Sequence, residues 1–272
     1  MLPYLTLWGR LDIPLLPLFI LVGLFASSFS FYRLLHRNAR YNEFAVFDAL
    51  LLSSLGGLVV GRLVDILVRF EQFGWNYRAW LNFWVYPALS IPAVFVSGAL
   101  LFAWLLRRQK ITDWELLDYW ARACCLLLCF YHLGLFCAGD GLGLTAPHFL
   151  GLSFPHLHQP LYPVPLYASL FYLLLSFLLS ALENNYRTFD WYRAHRSTAK
   201  TGFIFITFIL FFGLFSLTMT PLSPAKYHFQ ALNFDVIISL ALIVTSFILV
   251  YTHALRQPRA KSSVLTKKRK NV

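Results

Sequence analysis

The chain has 272 residues, 58% of them hydrophobic and 13% charged, with a mean hydropathy of +0.62. A soluble domain carries about 25% charged residues, so this composition excludes a water-soluble globular protein and points to an integral membrane one. The net charge of +11 would suggest nucleic acid in a soluble chain. Here the basic residues fall between apolar runs, where they set orientation and attract anionic lipid, and no nucleic-acid partner is expected.

Seven apolar runs reach the ~20 residues needed to cross a bilayer. They lie near 13–31, 44–68, 80–106, 116–137, 161–182, 202–220 and 234–255, and the fold class expected is an all-α polytopic membrane protein. The start, Met1 to Asp12, has no cleavable signal-peptide pattern, and the first run is long enough to span. Lys and Arg divide unevenly among the connections. Arg33, Arg37 and Arg40 follow the first run, Arg107, Arg108 and Lys110 the third, and Arg187, Arg193, Arg196 and Lys200 the fifth. Seven more follow the last run, against only Arg10, Arg69, Arg78 and Lys226 on the other side. The positive-inside rule therefore predicts an external N-terminus and a cytoplasmic C-terminus. One membrane domain over 1–255 and a polybasic, disordered tail over 256–272 are expected. The connection 183–201, with Trp191 and Tyr192 among its basic residues, reads as an interfacial segment.

Ionisable residues inside the runs are the candidates for function, because burying one in hydrocarbon is costly unless it is used or paired. In the second run Arg62 and Asp65 are three apart and share a helix face, on a segment that begins with Asp48 and contains Gly56, Gly57 and Gly61. Those glycines would let a neighbouring helix pack closely. Arg62 pairs with Asp65 or snorkels to the interface in one reading, and binds a lipid phosphate in the other. In the fourth run Asp118 and Arg122 are four apart in the favourable acid-before-base order, which predicts a structural pair. Deeper in that run comes Cys129-Phe-Tyr-His-Leu-Gly-Leu-Phe-Cys-Ala-Gly-Asp-Gly-Leu-Gly143, which places His132 at membrane depth and Asp140 beyond it. Its glycines, Gly134, Gly139, Gly141 and Gly143, allow close approach of backbone to a ligand or another helix. A Gly-rich helix end with one hydrogen-bonded histidine is the plainer alternative.

Cys124, Cys125, Cys129 and Cys137 all fall in this run without paired CxxC spacing, so apolar packing is expected rather than zinc. The connection 138–160 has no Lys or Arg and holds His148, His156 and His158 beside prolines. Without acidic or cysteine partners these read as a polar loop, and no metal or cofactor is expected.

Leu116-Leu-Asp118 followed by Tyr131-His-Leu-Gly-Leu-Phe-Cys-Ala-Gly-Asp140-Gly-Leu-Gly143 resembles the signature region of bacterial prolipoprotein diacylglyceryl transferases. In that family an aspartate opens the span and a Gly-Arg-x-Gly-Asn-Phe-x-x-Gly segment closes it. Asp48…Gly56…Arg62-Leu63 is similar to the family's second span, and Ala88-Leu-Ser90 through Arg107-Arg108-Gln-Lys110 to its third. Tyr162-Pro-Val-Pro-Leu-Tyr167 resembles the box that starts the fifth, and Phe212-Gly-Leu214 the turn of the sixth. The likeness runs in order from about Phe44 to Leu255.

The resemblance implies transfer of the diacylglyceryl group of phosphatidylglycerol to a prolipoprotein cysteine thiol, at the inner membrane of a bacterium. Phospholipid and a prolipoprotein signal peptide are the implied partners. On that reading Arg62, with Gly134, Gly139 and Tyr167, holds the lipid phosphate, His132 serves as catalytic base or phosphate partner, and Asp140 orients it. Departures are numerous. Pro92 stands where the third-span histidine is expected, His132 replaces the signature arginine, and Leu135 and Ala138 replace its asparagines. Tyr162, Ser216 and Thr220 replace a histidine, an arginine and a glutamate. A catalytically inactive descendant that binds phospholipid or lipoprotein precursor is the second reading. A small transporter is the third, which broken helices at the midplane would support.

Overall fold

The computed structural model describes residues 4–7, 11–37, 41–81, 89–147, 150–153, 159–185, 200–224, 228–229 and 232–255. Arg10, Arg40, Ala88, the histidines His148, His156 and His158, the segment with Trp191 and Tyr192, Lys226 and the tail 256–272 lie outside the described residues.

Two short strands, β1 (Tyr4–Leu7) and β2 (Leu11–Pro14), form an antiparallel hairpin ahead of α1 (Leu15–Arg37). Then come α2 (Glu43–Val68), the short helices α3 (Phe70–Phe73) and α4 (Tyr77–Leu81), α5 (Ile91–Arg108), α6 (Glu115–Ala138) and α7 (Val164–Asn185). α8 (Phe203–Met219) runs into a 3₁₀ turn, Thr220–Leu222. A second small hairpin, β3 (His228–Phe229) and β4 (Leu232–Asn233), leads into α9 (Phe234–Leu255). The helices α1, α2, α5, α6, α7, α8 and α9 are each long and apolar enough to cross a membrane. The chain is therefore an all-α, multi-pass membrane protein, its described strands confined to two short hairpins.

Span boundaries differ from the hydropathy pattern chiefly in the third. Residues 80–81 belong to α4, and α5 begins only at Ile91. Pro92 explains this start: it sits in the first turn, where the missing N–H would be unsatisfied anyway. Ser90 precedes it as N-cap and donates its backbone N–H to Gly61 O at 3.3 Å. The first span instead runs six residues past the pattern, to Arg37, because Phe31, Leu34 and Leu35 keep its buried face continuous.

α6 is the hub, packing against α1, α5, α7 and α8. Its seam with α1 closes at Gly134, where a Cβ would lie 2.9 Å from Phe19 Cβ. The α2–α5 seam closes at Gly57, where a Cβ would lie 2.9 Å from Val94 O. Such close helix approach raises dispersion contact where lipid tails leave no hydrophobic gain between helices.

Polar side chains fasten the basic end of the bundle. Tyr41 donates to Asp113 at 2.9 Å and to Glu115 at 3.1 Å, and burial together with these carboxylates pushes its phenol above the ordinary range. Asp118 does not pair with Arg122. Its carboxylate accepts the N–H groups of Gly202 (2.7 Å) and Phe205 (2.8 Å), so it caps the start of α8 from another helix. Gly202, at φ +96°, has no side chain to serve as a local cap. Arg122 instead pairs with Glu183 and donates to Ser180 Oγ at 3.1 Å, tying α6 to α7. Spacing suggested the i,i+4 pair, but four orphan N–H groups at a buried helix start are the stronger demand on a carboxylate. Asp118→Ala is expected to lower unfolding stability in detergent by about 2 kcal/mol, the scale of two charge-assisted hydrogen bonds. A thermal midpoint matching wild type would refute the cap.

Candidate functional site

At the opposite end, α2 and its C-cap carry three charges spaced at i, i+3 and i+7, which places Arg62, Asp65 and Arg69 along one face. Asp65 is 1% exposed and Arg62 4%. One Asp65 oxygen lies 3.8 Å from Arg62 Nη1 and is also paired with Arg69. Arg62 Nε donates to Trp80 O and its Nη2 to Ala79 O, each at 3.1 Å. Trp80 Nε1 in turn donates to Gly74 O at 3.1 Å, folding α3 and α4 back over the end of α2. Both guanidiniums lie over the Phe73 ring, at 5.1 Å for Arg62 and 5.6 Å for Arg69. Two cations on one carboxylate leave a surplus of positive charge in a low-dielectric setting. Arg69 Nε is buried and, among the described residues, has no hydrogen-bond partner. An orphaned charged N–H there is a ready donor for an anion.

α6 reaches the same end. The Tyr131 ring meets His132 edge-on at 5.2 Å, and His132 stacks on Tyr172 of α7 at 5.6 Å with 14° between planes. Tyr172 continues the aromatic stack towards Phe212 and Phe215 of α8.

The sequence-predicted residues divide by what they touch. Gly134 is spent on the α1 seam. Gly139 ends α6 in the left-handed region at φ +83°, and Asp140 N–H donates to Leu135 O at 3.0 Å in the accompanying 6→1 closure. The Asp140 side chain is exposed, and among the described residues no hydrogen bond joins it to His132. Gly143 N–H donates to Tyr162 O at 2.8 Å, pressing the glycine loop against the start of α7. Tyr167 donates to Leu150 O and so holds that loop. Arg62 is engaged with Asp65, Ala79 and Trp80, as above. Pro92, Ala138, Ser216 and Thr220 all sit at helix ends on this side, with Thr220 Oγ1 donating to Ser216 O at 2.9 Å.

Three participants were not singled out in the sequence: Arg69, Tyr131 and Tyr172. Arg69 was legible, being four residues after Asp65 and seven after Arg62; at the end of a span it reads instead as an interfacial residue. The two tyrosines are hidden among 14 in an aromatic-rich chain. An apolar cavity lies elsewhere, towards the Trp114 end, and is lined by none of these groups.

Comparison with known families gives one result. The model of the family described as prolipoprotein diacylglyceryl transferase matches residues 3–252, nearly the whole chain. No curated protein matches it.

Proposed function

Because the chain belongs to the prolipoprotein diacylglyceryl transferase family, we propose that it is a divergent transferase taking the diacylglyceryl group from phosphatidylglycerol to a cysteine thiol of a lipoprotein precursor. It works as one membrane domain over 1–255 in a bacterial inner membrane, with the Asp140 end outside and the tail 256–272 in the cytoplasm. The observation that carries the reading is the Arg62–Asp65–Arg69 cluster, whose buried Arg69 Nε has no hydrogen-bond partner among the described residues.

The reaction forms an S–C bond to the glyceryl carbon next to the phosphate and breaks the C–O bond, with glycerol phosphate as leaving group. The thiol proton must go to a base, and the leaving phosphate needs fixed positive charge. Arg69 supplies that charge, while Arg62 holds Asp65 and the 79–80 carbonyls so that Arg69 is correctly placed. His132, edge-on to Tyr131 and stacked on Tyr172, takes the proton. Asp140 lies just past the end of α6 and supplies negative charge there rather than a hydrogen bond to His132. Gly134, Gly139 and Tyr167 shape the region by closing the α1 seam, ending α6 and fixing the loop at Leu150.

The second reading, a non-catalytic binder of phospholipid or precursor, is favoured by one observation: Arg62 already satisfies Asp65, Trp80 O and Ala79 O. The deciding experiment uses purified protein in phosphatidylglycerol vesicles with a cysteine-containing lipobox peptide. Thiol loss with matching release of glycerol phosphate is expected, and Arg69→Ala is expected to slow it about 10²-fold, the scale of one lost oxyanion donor. Lipid binding without turnover would establish the binder.

A further inference from the structure

α5 packs on α2 and α6 and meets α8 through Phe95, whose ring lies 5.8 Å from that of Phe212, leaving a gap alongside that contact. The gap is a cavity of about 360 Å³ with Trp120 as its floor, Ala99 and Ala103 on the α5 wall, Phe208 and Leu242 on the other, and Arg107 at its basic end. Ala99 and Ala103 are four apart on α5, so their small side chains leave one continuous strip of that wall open. Val96 and Leu100 also line it while remaining 41% and 66% exposed, so the cleft opens sideways onto the surface that meets lipid. From Phe95 to Arg107 the wall runs about 18 Å along the helix at 1.5 Å per residue. An opening this long, apolar and facing the bilayer suits an extended hydrocarbon chain.

The charges at the mouth choose the headgroup. The neighbouring Arg108 lies over the Trp104 ring at 4.1 Å, whereas Arg107 is exposed and makes no ion pair among the described residues. Asp113 shares the mouth, but its carboxylate accepts the Tyr41 hydroxyl and is turned to that bond. A guanidinium at the end of an apolar slot matches a phosphodiester or phosphomonoester above an acyl chain.

We propose that this cleft is a second lipid site: it holds one acyl chain of an anionic phospholipid from the leaflet at the Arg107 end, with the lipid phosphate on Arg107. The site is separate from the Arg69 region and does not depend on transfer activity.

The test uses the full chain in nanodiscs containing phosphatidic acid or phosphatidylcholine with a photoreactive group near the acyl terminus, followed by peptide mapping. Phosphatidic acid is chosen because it is not the proposed donor, so failure here and failure of the transferase reading are distinguishable. Labelling of the facing α5 and α8 peptides is expected to be roughly tenfold higher with phosphatidic acid, the effect of one charge-assisted contact. Ala103→Phe, which fills the slot, is expected to abolish that labelling. Arg107→Ala, at an exposed position, is expected to leave the label but erase the preference for the anionic lipid. Labelling no denser there than over the rest of the lipid-facing surface would overturn the proposal. So would an unchanged preference in Arg107→Ala, or a cross-link to a second protein chain in place of lipid.

Discussion

His132→Ala is expected to slow thiol consumption by about 10²–10⁴-fold, the range for loss of a positioned base. The ring is held on two sides, edge-on by Tyr131 and face-on by Tyr172, so its position is set by α6 and α7 together. Alanine removes the base but leaves both flanking rings, so folding should change little. His132→Gln separates the possible roles: it keeps a hydrogen-bonding side chain of similar reach but takes no proton near neutrality. A base predicts that Gln is as slow as Ala in the vesicle assay. A Gln variant with near wild-type turnover would show that the histidine serves only as a hydrogen-bond donor to phosphate.

Asp65→Ala is expected to cost about 3–5 kcal/mol, the penalty for stranding a buried charge by removing its partner. The stranded group here is double, since Asp65 faces both Arg62 and Arg69 and is itself 1% exposed. Arg62 retains its two backbone carbonyls and is partly shielded by them. Arg69 retains only the Phe73 ring at 5.6 Å among its described contacts. Removing Arg69 as well, in Asp65→Ala with Arg69→Ala, should therefore recover part of the loss, a coupling that unfolding midpoints in detergent would measure. A single mutant within about 0.5 kcal/mol of wild type would mean that the cluster is solvated and not a buried network.

Seven spans were legible because hydropathy is a local property and each helix must satisfy its own backbone in lipid. The glycines of α2 were legible for the same reason: Gly57 and Gly61 stand one turn apart, and both face α5. Contacts between distant segments were not. Spacing paired Asp118 with Arg122, yet the partners of Asp118 lie 84 and 87 residues away at the start of α8. Arg62 was legible as a buried charge, but the carbonyls it serves belong to α4, a short helix whose last two residues hydropathy had joined to the third span. His132 and Asp140 were read as partners because they fall in one short stretch of sequence. The helix end between them puts Asp140 beyond the last turn, where its side chain is exposed.

The cap on α8 also fixes an order of events. α8 is among the most apolar segments of the chain, with a hydropathy of 2.2, and its first N–H groups have no acceptor in its own opening residues. A ribosome makes residue 118 long before residue 202, so the acceptor already stands in the membrane when the segment that needs it emerges. Were the carboxylate carried by α9 instead, α8 would have to wait in lipid with its end open. The direction of synthesis and the direction of this one hydrogen-bonded contact agree, and α8 finds its neighbour on arrival.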